Sequence, residues 1–575
     1  MNEIKNIKKE LTGYPSIDKP WLKYYDEKAL HVTFPKATVY ECIYTNNCSY
    51  GNEIAMIYYG KKITYKKMFS EIENVAGAFS SLGVRRGDNV AICMPAIPEA
   101  LYTVLALNKI GANANMLNPT FSEAQLAERI NETEAKILIV LNELYEKIGK
   151  AVFKTGIETV VACPAANSLG KMVRVWKHVK KIQGTIEWND FVRRGKGIAY
   201  ATAKYQANTP AVTVYSSGTT GAEKGIQLTN DGIVALMRQY EYAGFDMKRQ
   251  DRYIAQIPIW FSTGICVTML VPLYLGITLI LEPIFDFKLI AKDIEKYKPN
   301  FLISPMGLFE YMKNNYPRSD AYRAFKYVAV GGEYVAPRVE QEYNKWLKEN
   351  DCKEGLHKGY GMCECGGTVT SSNSVCNIVG ASGIPMPRVV VAAFDVCTDK
   401  ELTYGKRGEI RVLTPCRMSG YYKKPEETEK YLKTDQCGNV WACTGDMGYV
   451  AEDGNVYVAG RISDSYVNDD GETIYLFDIE RAVLDVPKIR QCKAIPGCID
   501  GRKIHICHMV LTDDADVDET LHAVEKYCAN KLPVSHWPVV VRLYRDALPV
   551  ASSGKLDIKV MKENVDGYKW LSIHR

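Results

Sequence analysis

Residues 214–225 read Val-Tyr-Ser-Ser-Gly-Thr-Thr-Gly-Ala-Glu-Lys-Gly. Gly218 and Gly221 let backbone N–H groups approach an anion closely. The hydroxyls of Ser216, Ser217, Thr219 and Thr220 donate further hydrogen bonds, and Lys224 adds positive charge. Such a combination suits a loop that wraps a polyphosphate. It is not a Walker A loop, because Gly-x-x-x-x-Gly-Lys-(Ser/Thr) needs a second glycine where this chain has Glu223. Ser-Ser-Gly alone would read as an ordinary turn, but the run from Ser216 to Lys224 is far harder to meet by chance.

The elements around this loop read as alternating β-rich runs and helices. VAICMP (90–95), KILIVL (136–141), TVVAC (159–163), AVTVYSS (211–217), FLISP (301–305) and YVAVGG (327–332) are short apolar runs, several ending in Gly, Ser or Pro. Helical patterns lie among them, as in 98–112, 288–297 and NDGIVALMRQY just after the loop. Continuous apolar strands separated by helices imply mostly parallel sheets covered on both faces, with ligands held at the carboxyl ends of the strands. From about Gly405 the texture changes to shorter strands, GEIRVL (408–413) and NVYVAG (455–460). A small α+β tail follows Arg461. The expected division is an N-terminal domain over 1–461 and a C-terminal domain over 462–575.

Composition narrows the class. The chain has 575 residues, 47% hydrophobic and 24% charged, too long for one ordinary core and typical of soluble globular proteins. With 72 Lys and Arg against 67 Asp and Glu, the formal charge of +5 gives no case for nucleic acid or a membrane surface. The N-terminus is charged and has no apolar stretch of signal-peptide length, so a cytoplasmic location is expected. The 17 cysteines include no CxxC pair and are expected to be reduced, mostly packed thiols rather than zinc ligands or disulfides. His505 and His508 read as ordinary strand residues. The uncharged stretch Ile257–Leu281 is long enough to span a bilayer, but its prolines and glycines favour a buried helix near Thr263–Leu270 and a short strand at 277–281. No membrane span is expected.

The loop resembles the phosphate loop of the superfamily of AMP-forming acyl-CoA synthetases, adenylation domains and luciferases, (Ser/Thr)-Ser-Gly-Thr-Thr-Gly-x-Pro-Lys-Gly. The resemblance continues in order along almost the whole chain. Gly331-Gly332-Glu333 with Pro337 is similar to the adenine-pocket segment, and Tyr360-Gly361-Met362-Cys363-Glu364 to an aromatic-Gly-x-Thr-Glu motif. Gly380 to Pro387 resembles a Gly/Pro turn. Gly408–Arg411, Gly420–Pro425 and Thr444-Gly445-Asp446 resemble the run into the ribose site. Gly460-Arg461 resembles the segment before a hinge, and Ser553-Gly554-Lys555 the C-terminal lysine loop.

The resemblance implies an α/β fold: a large N-terminal domain of mostly parallel, helix-covered sheets plus a β-rich subdomain, then a small mobile α+β domain carrying the catalytic lysine. It implies that a carboxylate attacks the α-phosphate of ATP, releasing pyrophosphate and forming an acyl-adenylate. Such a transfer needs charge neutralisation more than acid–base groups. Lys555 would bridge the carboxylate and α-phosphate, and Lys224 would serve the phosphates. Glu364 would hold the Mg²⁺ that travels with ATP. Asp446 would bind the ribose hydroxyls with Arg461 assisting, and Tyr360 would stack on adenine. In a second half-reaction the C-terminal domain would rotate about a hinge near Ser463–Asp464 and admit the thiol, coenzyme A or the phosphopantetheine of a carrier protein.

Several residues depart from the pattern. Glu223 replaces a common Pro. Cys363 replaces a Thr whose hydroxyl would touch the α-phosphate, and a thiol is a weaker donor. Asn468 stands where Lys is common, Leu476 where Pro is, and Val550 where a basic residue is. Asp469 and Asp470 fall beside the implied pantetheine channel, where two acids could hinder coenzyme A or favour another thiol. The implied acyl pocket draws on Met237, Tyr240, Trp260, Phe261, Ser304, Gly307, Gly332 and Gly361. Phe261 is followed by Ser262, not the Asp with which amino-acid-activating relatives hold an amine. Acetate-activating relatives fill the position of Gly361 with Trp, so the acid is expected to be larger than acetate and to lack an α-amine. The leading reading is an acid–CoA ligase, of a kind that serves fatty acid metabolism. A ligase that loads a separate carrier protein and a non-catalytic nucleotide- or acyl-binding relative are the alternatives.

Overall fold

A computed structural model of the chain describes residues 11–169, 182–215, 223–499, 502–549, 556–563 and 568–571. Ser216, Ser217, Gly218, Thr219, Thr220, Gly221, Val550 and Lys555 lie outside the described residues.

Two large sheets form the N-terminal part. In the first, Asn89–Cys93, Asn113–Met116, Ile137–Leu141, Thr159–Cys163 and Pro210–Tyr215 run parallel. Gly225–Thr229 and then Gly420–Tyr421 add antiparallel to its edge. In the second sheet, Ile54–Tyr58, Thr278–Leu281, Arg252–Ala255, Phe301–Ser304, Tyr327–Val330 and Leu356–Tyr360 run parallel, with antiparallel pieces at both ends. The strands are apolar on both faces because helices cover both. Most of the runs marked in the sequence are these strands, and the expected helices form as Pro98–Ile110, Asn230–Tyr242 and Phe287–Tyr297.

Close helix packing rests on glycine. Tyr65–Ser81, capped by Thr64 accepting from the Lys67 N–H at 3.3 Å, crosses Trp188–Gly195 at Gly77. A Cβ on Gly77 would stand 2.3 Å from the Gly195 carbonyl oxygen, so the two backbones touch there. The uncharged stretch from Ile257 folds as a buried π-helical segment, Thr263–Leu270, running into Val271–Leu275 and the strand Thr278–Leu281. The Val271 N–H reaches the Cys266 carbonyl, the five-residue spacing that defines a π turn. Among the described residues no helix is long and apolar enough to cross a membrane.

A third, antiparallel sheet follows, built on Val390–Phe394, Gly408–Leu413 and the long strand Val440–Val450, with Leu432–Thr434 and Val456–Arg461 at its edges. Beyond Arg461 come the hairpin Ser465–Val467/Thr473–Tyr475, helix Leu476–Leu484 and a four-stranded sheet of Ile489–Ile499, Arg502–Leu511, Val540–Tyr544 and Tyr568–Trp570. Helix Val517–Lys531 closes a separate apolar cluster that includes Ile474, Val483, Met509 and Val524. All seventeen cysteines are free thiols.

His505 and His508 are buried strand residues, as expected. His505 contacts the Tyr466 hydroxyl at 3.0 Å and the Trp537 carbonyl at 2.6 Å. Burial, with Arg542 nearby, lowers the His508 pKa to about 4. The unfolded chain therefore takes up a proton near the ordinary value of about 6.5 that the folded protein refuses until about pH 4. Stability is expected to fall as pH drops through that window, and His508→Gln should flatten the decline in denaturation midpoints measured between pH 7 and 4.

Candidate active site

The site lies where the carboxyl ends of the two large sheets meet. A cavity of about 660 Å³ opens there. The turns after five strands of the second sheet wall it: Ile257–Phe261, Phe285, Pro305, Gly331–Gly332 and Gly361–Cys363, with Asn118 and Thr120 reaching in from the first. Among the described residues no charged side chain lines it. The carboxyl ends of the strands and the turns that follow them surround a ligand-sized space, with strand residues such as Tyr327 and Ala329 forming its floor.

Tyr360 ends the strand Leu356–Tyr360, and its hydroxyl donates to Asp446 Oδ2. Asp446 sits in the middle of Val440–Val450, in register with Arg461 on the neighbouring strand, whose Nε lies 3.0 Å from Asp446 Oδ1. Arg461 also donates to the Thr444 carbonyl at 2.9 Å. The strand kinks at Gly445, whose φ of +68° only glycine adopts readily, and the Thr444 hydroxyl accepts from the Asp446 N–H at 3.0 Å. Burial raises the Asp446 carboxyl pKa, while Arg461 and the Tyr360 hydroxyl oppose that shift. Burial and Asp446 together push the Tyr360 phenol well above its usual range. Asp446, Arg461 and Tyr360 thus form one hydrogen-bonded cluster at the cavity edge.

Glu364 belongs to the short turn Cys363–Cys365, and its Oε1 accepts from the Tyr421 hydroxyl at 2.9 Å. Glu333 Oε1 accepts from the Met306 N–H at 2.5 Å, and burial raises its pKa. Gly332 precedes it with φ +81° and nothing within 4 Å of a notional Cβ, an open backbone edge facing the cavity. The phosphate-type loop joins two antiparallel strands, its ends pinned by the pairing of Tyr215 with Gly225. Lys224, beside that pairing, forms an ion pair with Glu427 and stands 4.8 Å from the Tyr421 ring.

Of the expected acyl-pocket residues, Tyr240, Trp260, Phe261, Ser304, Gly332 and Gly361 line the cavity. Met237 and Gly307 do not: Met237 is packed in the core, and Gly307 faces the Phe287 ring, 2.8 Å from a notional Cβ. The reason for glycine at 361 is also corrected. A Cβ there would meet the Gly367 carbonyl oxygen at 2.2 Å, so backbone contact demands glycine whatever the acid. The cavity's room comes from elsewhere. Tyr327 and Phe285 also line it and were not anticipated, because the first is a mid-sheet strand residue and the second follows a strand without a motif.

The departures have structural partners. Asn468 Oδ1 accepts from the Asp470 and Glu472 N–H groups at 3.1 and 2.8 Å, which makes it the turn former of its hairpin. Asp469 accepts from the Lys503 N–H at 3.1 Å. Leu476 is buried at the start of its helix, and Gln125 reaches Glu223 at 3.5 Å. Asp464 pairs with Lys493, which also bonds Glu480 at 2.8 Å, so its side chain is tied to the C-terminal elements.

A two-sheet α/β body with a ligand-sized cleft at the carboxyl ends of its strands, and a smaller α+β unit following, defines the class of fold. The chain belongs to the AMP-binding enzyme family, whose sequence profile matches residues 45–422. It is 24% identical over 559 residues to a long-chain-fatty-acid–CoA ligase of Bacillus subtilis, covering 94% of this chain and 96% of the relative. It is likewise 24% identical to an acetyl-coenzyme A synthetase of Helicobacter acinonychis, over 97% of this chain and 88% of that one. Among solved structures, ATP-bound MatB from Rhodopseudomonas palustris shares the fold with a TM-score of 0.77 at 22% identity, over 92% of this chain and 98% of that one. The o-succinylbenzoate CoA synthetase of Bacillus subtilis in complex with its acyl-adenylate gives 0.71 at 20%, over 93% and 100%. The expected family and fold class are borne out.

Proposed function

We propose that this protein is an ATP-dependent carboxylic acid–CoA ligase, forming an acyl-adenylate with release of pyrophosphate and then an acyl thioester. The observation that carries this is a cavity lined, among the described residues, by uncharged side chains, with Tyr360 in its wall bonded to Asp446 and Asp446 paired with Arg461. The long-chain-fatty-acid–CoA ligase relative supports the reaction, and the ATP-bound and acyl-adenylate-bound neighbours support the nucleotide.

Asp446 accepts from the ribose hydroxyls once Tyr360 gives up its bond and turns to the adenine. Arg461 keeps Asp446 ionised and oriented. Lys224 and the loop from Ser216 to Gly221 hold the phosphates, and Lys555 enters to bridge carboxylate and α-phosphate. Glu364 fits Mg²⁺ arriving with the nucleotide: a lone carboxylate suits an ion that binds through one or two protein oxygens plus phosphates and water. Among the described residues no group of three His, Cys, Asp or Glu side chains could cage a metal alone. The ion would neutralise phosphate charge. A cavity of about 660 Å³ whose described lining is uncharged suits an acid with an uncharged tail, larger than acetate, and among the described lining residues no carboxylate stands ready for an α-ammonium group. The C-terminal domain, from about residue 462, pivots near Ser463, since Asp464 is held by Lys493. A cytoplasmic location and coenzyme A as the acceptor belong to the same reading.

Pyrophosphate release from Mg-ATP across a panel of carboxylic acids, with and without coenzyme A, tests it. Acid-dependent release that turns over only with coenzyme A is the expected result. Release that stalls near one equivalent despite coenzyme A would transfer the acceptor role to a carrier protein. No release with any acid would leave an untested acid or a non-catalytic binding protein, and measured ATP affinity would then decide what to try next.

A further inference from the structure

The segment from Gly420 to Tyr431 holds two charged groups of the site at once. Its Tyr421 hydroxyl donates to Glu364, and Glu427 on helix Pro425–Tyr431 pairs with Lys224. The Tyr421 ring lies 4.8 Å from the same ammonium, adding a cation–π contact. This geometry is held by the backbone. Tyr421 pairs with Ile226, the Tyr422 N–H donates to the Gly225 carbonyl at 2.7 Å, and the Tyr421 N–H donates to Thr428 Oγ1 at 2.9 Å. Lys224, just before the strand Gly225–Thr229, and Glu427, on the helix that Thr428 ties to Tyr421, are therefore held next to each other by paired backbone.

We propose that Glu427 is a positioning residue that competes with nucleotide phosphate for Lys224, so that binding ATP requires the ligand to displace a carboxylate of the protein itself. This rests on the reading above that Lys224 serves the phosphates. The pair suits displacement: side chains 34% and 37% exposed are screened by water, and such pairs are weak. Lys224 holds the Glu427 carboxyl below its usual pKa, so the competitor stays ionised at neutral pH. Without a ligand the carboxylate is one of the groups that compensate the Lys224 ammonium. With a polyphosphate present, the higher charge density of the ligand wins. Weak retention of Lys224 therefore sets the nucleotide affinity without closing the site.

The test is calorimetric titration of Mg-ATP into the full chain as wild type, Glu427→Gln, Glu427→Ala, Lys224→Ala and the Glu427→Gln/Lys224→Ala pair, with folding checked by thermal melts. Both Glu427 variants should bind ATP about 2- to 5-fold tighter at low ionic strength. The gain should vanish near ~0.5 M salt and in the Lys224→Ala background. In turnover it should fall in KM for ATP, not in kcat. Unchanged or weaker binding, or an equal gain without Lys224, would overturn the proposal while leaving the ligase reading intact. Failure of the wild type to bind ATP would overturn both.

Discussion

Lys555→Ala should reduce acyl-adenylate formation on the order of 100-fold or more, while sparing thioester formation from supplied acyl-adenylate. The size follows from what the step demands. Two anions, carboxylate and α-phosphate, must approach each other, and charge builds on the phosphoryl oxygens as pyrophosphate leaves. A cation placed between them acts where water is excluded, and a neutral methyl cannot replace it. The second step transfers an acyl group that already carries a good leaving group, so it has no need of that cation. Pyrophosphate release measures the first step, and thioester formation from synthetic acyl-adenylate measures the second. Equal loss in both would contradict the two-step assignment.

Asp446→Asn should weaken ATP binding by about 10- to 100-fold, since hydrogen bonds to charged groups contribute ~1.5–3 kcal/mol each. Asp446 is 5% exposed and satisfies both the Tyr360 hydroxyl and the Arg461 guanidinium. An amide of the same shape keeps the packing, but it cannot accept through both ends or balance Arg461. The loss should appear in ATP affinity by calorimetry and spare the KM for the acid, since Asp446 is not among the residues that line the cavity. ATP affinity within twofold of wild type would place the ribose elsewhere.

The contrast between these two residues shows where each was readable. Lys555 is known only from the local run Ser553-Gly554-Lys555, and Asp446 from Thr444-Gly445-Asp446, since a contiguous motif carries its own identity. The parallel sheets were readable for a similar reason. Runs such as Ile137–Leu141 are apolar throughout, and only a strand buried on both faces needs that. The two-residue strand Gly420–Tyr421 has no periodicity to read, yet it brings Tyr421 to Glu364 and Glu427 to Lys224.

The order of motifs, the α/β class, the family and the identity of the charged groups were set by residues adjacent in the chain, whose side-chain types declare local structure and chemistry. Which of those groups pair was decided in three dimensions. Asp446 meets Arg461 through strand register, Met237 turns into the core instead of the cavity, and Gly361 is glycine because the Gly367 carbonyl lies against it. Those outcomes depend on burial and hydrogen-bond satisfaction between distant segments, and no local spacing encodes them.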